Sequence, residues 1–319
     1  MNAKTKKILR YLLSVLLAVV LLYFSFRKTS WSDFKHVLTG CRWMFVGLAM
    51  LAGALSSAVR ALRWRLLLHS ADADRGWWRS FNAVNIGKLA DLAFPHVGEL
   101  VRCGYIVSPS IPYNRVLGTV VLERSWDIVT LVALIAGLLA TGWSRFGEFF
   151  ATRIWEPLSG RISARLLVVL VVAVLALVVA IILSRGVRKF AKGLWEGFAT
   201  CIKMKGKGWF LLLTVVLWVC FYLMCLFVVK AIPQVGGFES QDVLFIMLVG
   251  CLAGIVPVPG GFGAFHYLIA LALSTLYGMP FEMGIIFATL SHESQAVTTI
   301  IFGLGSYVFE TLRKRDEPR

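Results

Sequence analysis

Apolar positions in this chain come in long unbroken runs, with neither the alternation of a half-buried strand nor the single stripe of a surface helix. Residues 166–183, LLVVLVVAVLALVVAIIL, are eighteen apolar residues in succession. At a rise of about 1.5 Å per residue they nearly cross a hydrocarbon core of about 30 Å. Runs of this kind predict full spans at 8–26, 43–68, 115–141, 162–184, 208–230 and 280–309. The first follows a basic start (Lys4, Lys6, Lys7) but is longer than the ~7–15 apolar residues of a signal peptide, and SFRKTS offers no small-residue cleavage site. It reads as an uncleaved helix.

Two further apolar regions, about 79–107 and 239–277, are interrupted at their centres. The first break is Phe94-Pro95-His96-Val97-Gly98. The second lies in V-P-V-P-G-G-F-G-A-F, residues 256–265. Proline removes a backbone donor, and glycine costs about 1 kcal/mol relative to alanine inside a helix. Each region is therefore expected to be a re-entrant broken-helix hairpin. The predicted fold is an all-α polytopic membrane protein, with about six full transmembrane helices and two such hairpins in a single integral domain over residues 1–319.

Polar positions orient this chain. Residues 1–7, 60–79, 185–207 and 310–319 carry nineteen Lys and Arg, against eight in 27–42, 142–165, 231–238 and 278–279. The positive-inside bias then predicts cytoplasmic N- and C-termini and hairpins entering from opposite sides. Span, broken hairpin and span would occur twice with inverted topology, in repeat units of about 43–141 and 208–310. Aligned without gaps, 85–107 and 248–270 match at Gly87 and Gly250, Leu89-Ala90 and Leu252-Ala253, and Gly98 and Gly261. Inverted repeats of this kind build many secondary transporters. Residues 187–202 are predicted to form an amphipathic helix, with Val187, Phe190, Ala191, Leu194, Trp195, Phe198 and Ile202 opposite Arg188, Lys189, Lys192 and Glu196. It reads as an interfacial helix on an anionic surface, or as a surface helix packed on the bundle.

Composition narrows the function classes. The chain is 58% hydrophobic with a formal net charge of +16. In a membrane protein that excess reflects topology and anionic lipid rather than nucleic acid, for which no soluble basic module exists. Six cysteines show no C-x-x-C pairing, and most lie in or beside apolar segments, so no metal or disulfide role is assigned to them.

The breaks carry the candidate chemistry. Pro257 and Pro259 would end one half-helix, while Gly260, Gly261 and Gly263 let the backbone turn tightly and approach a ligand. The next half-helix would present its amides to an anion. A long extramembrane loop between two short helices is the competing reading. Glu123, Arg124 and Asp127 lie within one expected span, where each ionised residue costs about 2.5–3.5 kcal/mol at the bilayer centre, so they are paired, hydrated or near the interface. Arg124 and Asp127 can meet on one face; a structural ion-pair network is the alternative to a binding role. The first hairpin adds Lys88, Asp91, His96, Glu99 and Arg102, with Lys88–Asp91 and Glu99–Arg102 both three apart. The last span adds Ser291, His292, Glu293 and Gln295.

Three motifs now stand in order: L-A-D-L-A-F-P-H-V-G-E-L-V-R (89–102), L-E-R-S-W-D (122–127) and P-V-P-G-G-F-G-A-F (257–265). Together they resemble the transmembrane region of lysylphosphatidylglycerol synthase/flippases, shared by stand-alone flippase-like bacterial membrane proteins. The resemblance covers nearly the whole chain. It implies a protein of the bacterial inner membrane whose partners are phospholipids, possible substrates being anionic head groups moved between leaflets, with no cofactor. The residues it singles out are Pro95, Gly98, Glu99 and Arg102, then Glu123, Arg124 and Asp127, then Pro259, Gly260, Gly261 and Gly263. Two departures stand out. Only TLRKRDEPR follows the last span, so the soluble aminoacyl-transferring domain is expected to be absent. The last span reads S-H-E-S-Q where many relatives have an arginine, which leaves substrate and coupling ion open.

Three functions compete. A lipid translocase or lipid-binding transporter would use Lys88, Arg102 and Arg124 with the half-helix termini to hold a phosphate, and Glu99, Glu123 or His292 to exchange protons. An intramembrane lipid enzyme would use His292 and Glu293 as acid and base, but H-E-x-x-H is absent and the five histidines (His36, His69, His96, His266, His292) are scattered. A membrane scaffold or regulatory subunit is the third. The expectation is a transporter and not an enzyme.

Overall fold

The structure is a computed structural model that describes residues 31–161, 184–235 and 237–316. The expected span 8–26 and, but for Ser184, the expected span 162–184 lie outside these residues. Among the described residues the chain is helical, without a strand. Four of the described helices are long and apolar enough to cross a membrane: Trp43–Ser70, Tyr113–Trp155, Lys207–Ala231 and Pro259–Tyr277, with Ser240–Ala253 a shorter apolar helix.

The chain divides into two compact units, which share residues 43–141 between them. The first comprises residues up to Leu66, Arg75–Ile106 and Gly206 onward. It contains α1 (Trp31–Thr39) and most of α2 (Trp43–Ser70), then α3 (Trp77–Ala93) and the short α4 (Gly98–Gly104). After the second unit's sequence it resumes with α8 (Lys207–Ala231), α9 (Ser240–Ala253), α10 (Ala264–Tyr277) and α11 (Phe281–Asp316).

Lipid tails are as apolar as leucine, so helices in a bilayer associate through close packing and polar contacts rather than hydrophobicity alone. The α3–α4 pair packs in this way: a Cβ added at Gly87 would lie 2.8 Å from the Gly98 carbonyl oxygen. Helix α3 also packs along α11, α11 along α10, and α10 against α9. Phe245, Leu248, Val249, Ile269, Leu273, Ile285 and Phe287 are among the buried apolar side chains these last three helices contribute to the core.

The second unit comprises Leu67–Asp74 and Val107–Lys205. Helix α5 (Tyr113–Phe149) kinks at Gly142, continues through a π turn at Phe150–Trp155 and ends in α6 (Glu156–Arg161). The stretch 142–165, counted above among the segments between spans, is helical as far as Arg161. Burial of Phe146, Phe149 and Phe150 gives that segment an apolar face, which outweighs its scattered polar residues.

Helix α7 (Arg185–Ile202) covers the amphipathic segment and packs on the start of α5. Asn114 Nδ2 donates to the carbonyls of Lys189 and Phe190 at 3.3 and 3.2 Å, and Arg115 lies 3.9 Å from Glu196. Phe190, Trp195 and Ile202 remain exposed on it.

Candidate functional site

The first helix break begins after Ala93. Phe94 is extended, and His96 takes φ 58°, a left-handed conformation uncommon for a residue with a side chain. Asp91, on the last turn of α3, reaches over the break, and its Oδ1 accepts the Gly98 amide at 2.7 Å. A carboxylate placed there satisfies one of the amides that the start of a helix leaves without an intrahelical partner.

One turn further on, Arg102 Nη2 meets Glu99 Oε2 at 2.6 Å, and the guanidinium carbon stands 4.5 Å from the centroid of the Trp64 ring. Arg102 is only 3% exposed. A charge so enclosed persists because a carboxylate and an aromatic face take the place of water. Lys88, one turn before Asp91 on α3, donates to Ser57 Oγ at 2.7 Å.

The second break runs from the end of α9 to the start of α10. Val258 is buried against Ala264 and Val256, while Pro257 is exposed and Pro259 half-buried. A 3-10 turn follows at Pro259–Gly261, with the Gly261 amide donating to the Val258 carbonyl at 3.1 Å. Gly260, Gly261 and Gly263 have φ of 60°, 78° and 80°. A side chain at any of them would cost roughly 1–2 kcal/mol in backbone strain. Gly263 is the N-cap of α10, which has no side-chain cap.

Helix α11 closes the second break. His292 Nε2 lies 2.8 Å from the Gly260 carbonyl oxygen, and His292 Nδ1 lies 3.2 Å from Glu293 Oε1. Phe262 and Phe265 flank the imidazole, with centroids 4.7 and 5.4 Å away. Gln295 Nε2 donates to the Ala49 carbonyl of α2 at 3.0 Å, and its side-chain oxygen occupies the space a Cβ on Gly53 would need.

The first unit thus gathers Lys88, Pro95, Gly98, Glu99, Arg102, Pro257, Pro259, Gly260, Gly261, Gly263, His292, Glu293 and Gln295. The two breaks adjoin: α3 contacts the 3-10 turn, and a Cβ added at Gly260 would lie 3.4 Å from Leu92. Glu123, Arg124 and Asp127 belong to the second unit. There Glu123 is fully buried, and Arg124 Nη1 donates to Asp127 Oδ2 at 3.1 Å.

Several partners escape a reading of the sequence. Ser57, Trp64 and His266 carry no motif, and only packing brings them to Lys88, Arg102 and Glu293. The same holds for a polar cluster lower on α11, where Glu310, 2% exposed, accepts from Asn82 at 2.9 Å and lies 3.8 Å from Arg79.

Long apolar helices, buried charges held in pairs and two adjoining helix breaks define an integral membrane protein of the helical class. Residues 11–303 match the family model described as the lysylphosphatidylglycerol synthase TM region, and the chain belongs to that family. The family suggests a membrane protein of lipid metabolism or transport. Comparison with curated proteins and with solved structures gives no match.

Proposed function

We propose that this chain binds the anionic head group of a phospholipid at the paired helix breaks and moves it between leaflets by alternating access. The observation that carries this reading is the meeting of the two breaks in one unit, where Gly260, one of three glycines with positive φ, lies against Leu92 near the end of α3. Broken backbone at membrane depth is tolerated only where protein or a watery cavity satisfies it, and such places form the binding sites of many transporters. Lys88 and Arg102 bring positive charge to this region, and the amides at the start of α10 add partial positive charge. Glu99 is the group proposed to exchange protons.

In this reading the chain is a transporter rather than an enzyme. It lies in the bacterial inner membrane with both termini cytoplasmic, its hairpins re-entrant and related by an inverted repeat. The exposed aromatic residues and lysines of α7 rest on the anionic cytoplasmic surface. In the second unit, Arg124 presents a guanidinium that is 39% exposed beside Asp127, and its fork suits a phosphate through two parallel hydrogen bonds.

The test is reconstitution in liposomes at matched folded yield. Wild type should bind a head group selectively and exchange it between leaflets. Gly261→Leu should abolish both, whereas Leu271→Ala should leave them near wild type. Arg124→Lys should lower head-group binding while thermal stability holds. Equal activity of the two helix variants would remove the backbone-built site, and unchanged binding with lowered stability in Arg124→Lys would make that arginine structural.

A further inference from the structure

Beside the second break, α10 and α11 bring together His266, His292 and Glu293. One ligand atom from each lies within 4.8 Å of the other two. His266 is 1% exposed and the His292 side chain 14%, while Glu293 at 42% leaves a path by which an ion can arrive.

Donor and acceptor roles decide what this cluster can hold. The Gly260 oxygen only accepts, so the contact at 2.8 Å assigns the hydrogen of His292 to Nε2. A neutral imidazole then has a bare lone pair at Nδ1. Glu293 Oε1, also an acceptor, stands 3.2 Å from that nitrogen. Two lone pairs so close repel unless a positive species lies at them. A proton satisfies that pair alone. The same carboxylate oxygen is also 3.9 Å from His266 Nε2, and a metal ion can be shared by all three residues.

One of the distances already matches a bound ion. Two ligands bound at about 2.0–2.2 Å to a tetrahedral metal stand about 3.3–3.6 Å apart, close to the 3.2 Å between His292 Nδ1 and Glu293 Oε1. His266 Nε2, 3.9 Å from that oxygen, has to move in by a few tenths of an ångström. A histidine that binds metal through one nitrogen almost always donates the other N–H to a carbonyl or carboxylate, which fixes ring and tautomer. The Gly260 carbonyl holds that position. Imidazole with one carboxylate suits zinc and its first-row neighbours rather than calcium or magnesium.

We propose that His266, His292 and Glu293 bind a divalent first-row transition-metal ion of the zinc or cobalt class, leaving a coordination position open to an oxygen donor. The site ties the glycine turn to α11 through the Gly260–His292 bond. The inference stands whether or not the chain moves lipid, because it rests on the geometry of the three ligands.

The experiment uses the full chain in detergent, stripped with a chelator and titrated with Co2+ at neutral pH. Wild type should take up one equivalent, with the visible absorption of four-coordinate cobalt, and Zn2+ should displace it. His266→Ala, His292→Ala and Glu293→Gln should each weaken binding by at least about tenfold, the low end of what loss of even an outer-shell partner costs. Glu293→Gln keeps the shape of the side chain, so it reports on the ligand even where a histidine variant folds poorly. His69→Ala, at a histidine whose side chain is 81% exposed, should bind as wild type does. The proposal fails if wild type takes up no cobalt, if Glu293→Gln binds as tightly as wild type, or if His69→Ala abolishes the uptake.

Discussion

The two helix breaks solve the same problem with opposite means. At the first, side chains do the work: Asp91 caps the Gly98 amide, Glu99 neutralises Arg102, and Trp64 covers the guanidinium. At the second, the backbone does it: three glycines turn the chain and His292 reaches in from α11 to hold one carbonyl. A break built from charged side chains is stable only while each partner stays in place. A break built from glycine leaves backbone groups facing outward, where a ligand can meet them. The first therefore reads as the anchored side of the pair and the second as the adaptable side.

The largest effect should come from unbalancing the anchored side. Arg102→Ala leaves Glu99 without its cation and Trp64 without its covering charge, and removing one member of a buried pair costs about 3–5 kcal/mol. Thermal unfolding in detergent should show a drop of many degrees, with Arg102→Lys recovering part of it. An unchanged midpoint would mean the first break is not held by this pair.

At the second break the effect should be smaller on stability and larger on binding. Gly260→Ala places a side chain at φ 60° and should cost about 1–2 kcal/mol. It should also reduce lipid binding more than its stability loss explains. Gly137→Ala is the control, since it lies within α5 with open space around it and no positive φ. If Gly260→Ala melts and binds as Gly137→Ala does, the contrast between the breaks is gone.

Asp91→Asn should have the smallest effect, about 1 kcal/mol, because it keeps an oxygen for the Gly98 amide and loses only the charge. Faster hydrogen exchange at the amides of α4, without change at α10, would sharpen the comparison. Equal change at both would erase it.

How far the sequence could anticipate this follows from where each feature originates. Pro95, and the Pro257–Gly263 run, punctuate the chain wherever they occur, so both breaks were legible from local chemistry. Glu99–Arg102 and Arg124–Asp127 were legible because residues three apart on a helix meet regardless of the fold. Trp64, Ser57 and His266 were not, since nothing in their own neighbourhoods ties them to residues dozens of positions away. The helix through 142–161 was not legible because its polar residues are spread evenly, and its buried phenylalanines give it a face. The family match supports the membrane and lipid reading. The six spans, the inverted repeat and the lipid itself remain part of the proposal.

Helix α11 runs from Phe281 to Asp316 without interruption, carrying His292 at the second break and Glu310 in the cluster with Arg79 and Asn82. At the standard rise the two side chains stand about 27 Å apart along one rod, so a tilt of about 5° at one end displaces the other by about 2 Å. That is more than a hydrogen bond tolerates. A tilt of α11 that pivots on the Glu310 contacts therefore breaks the His292 contact, and one that pivots on His292 breaks those of Glu310. The two contacts together fix the direction in which α11 leaves the glycine turn.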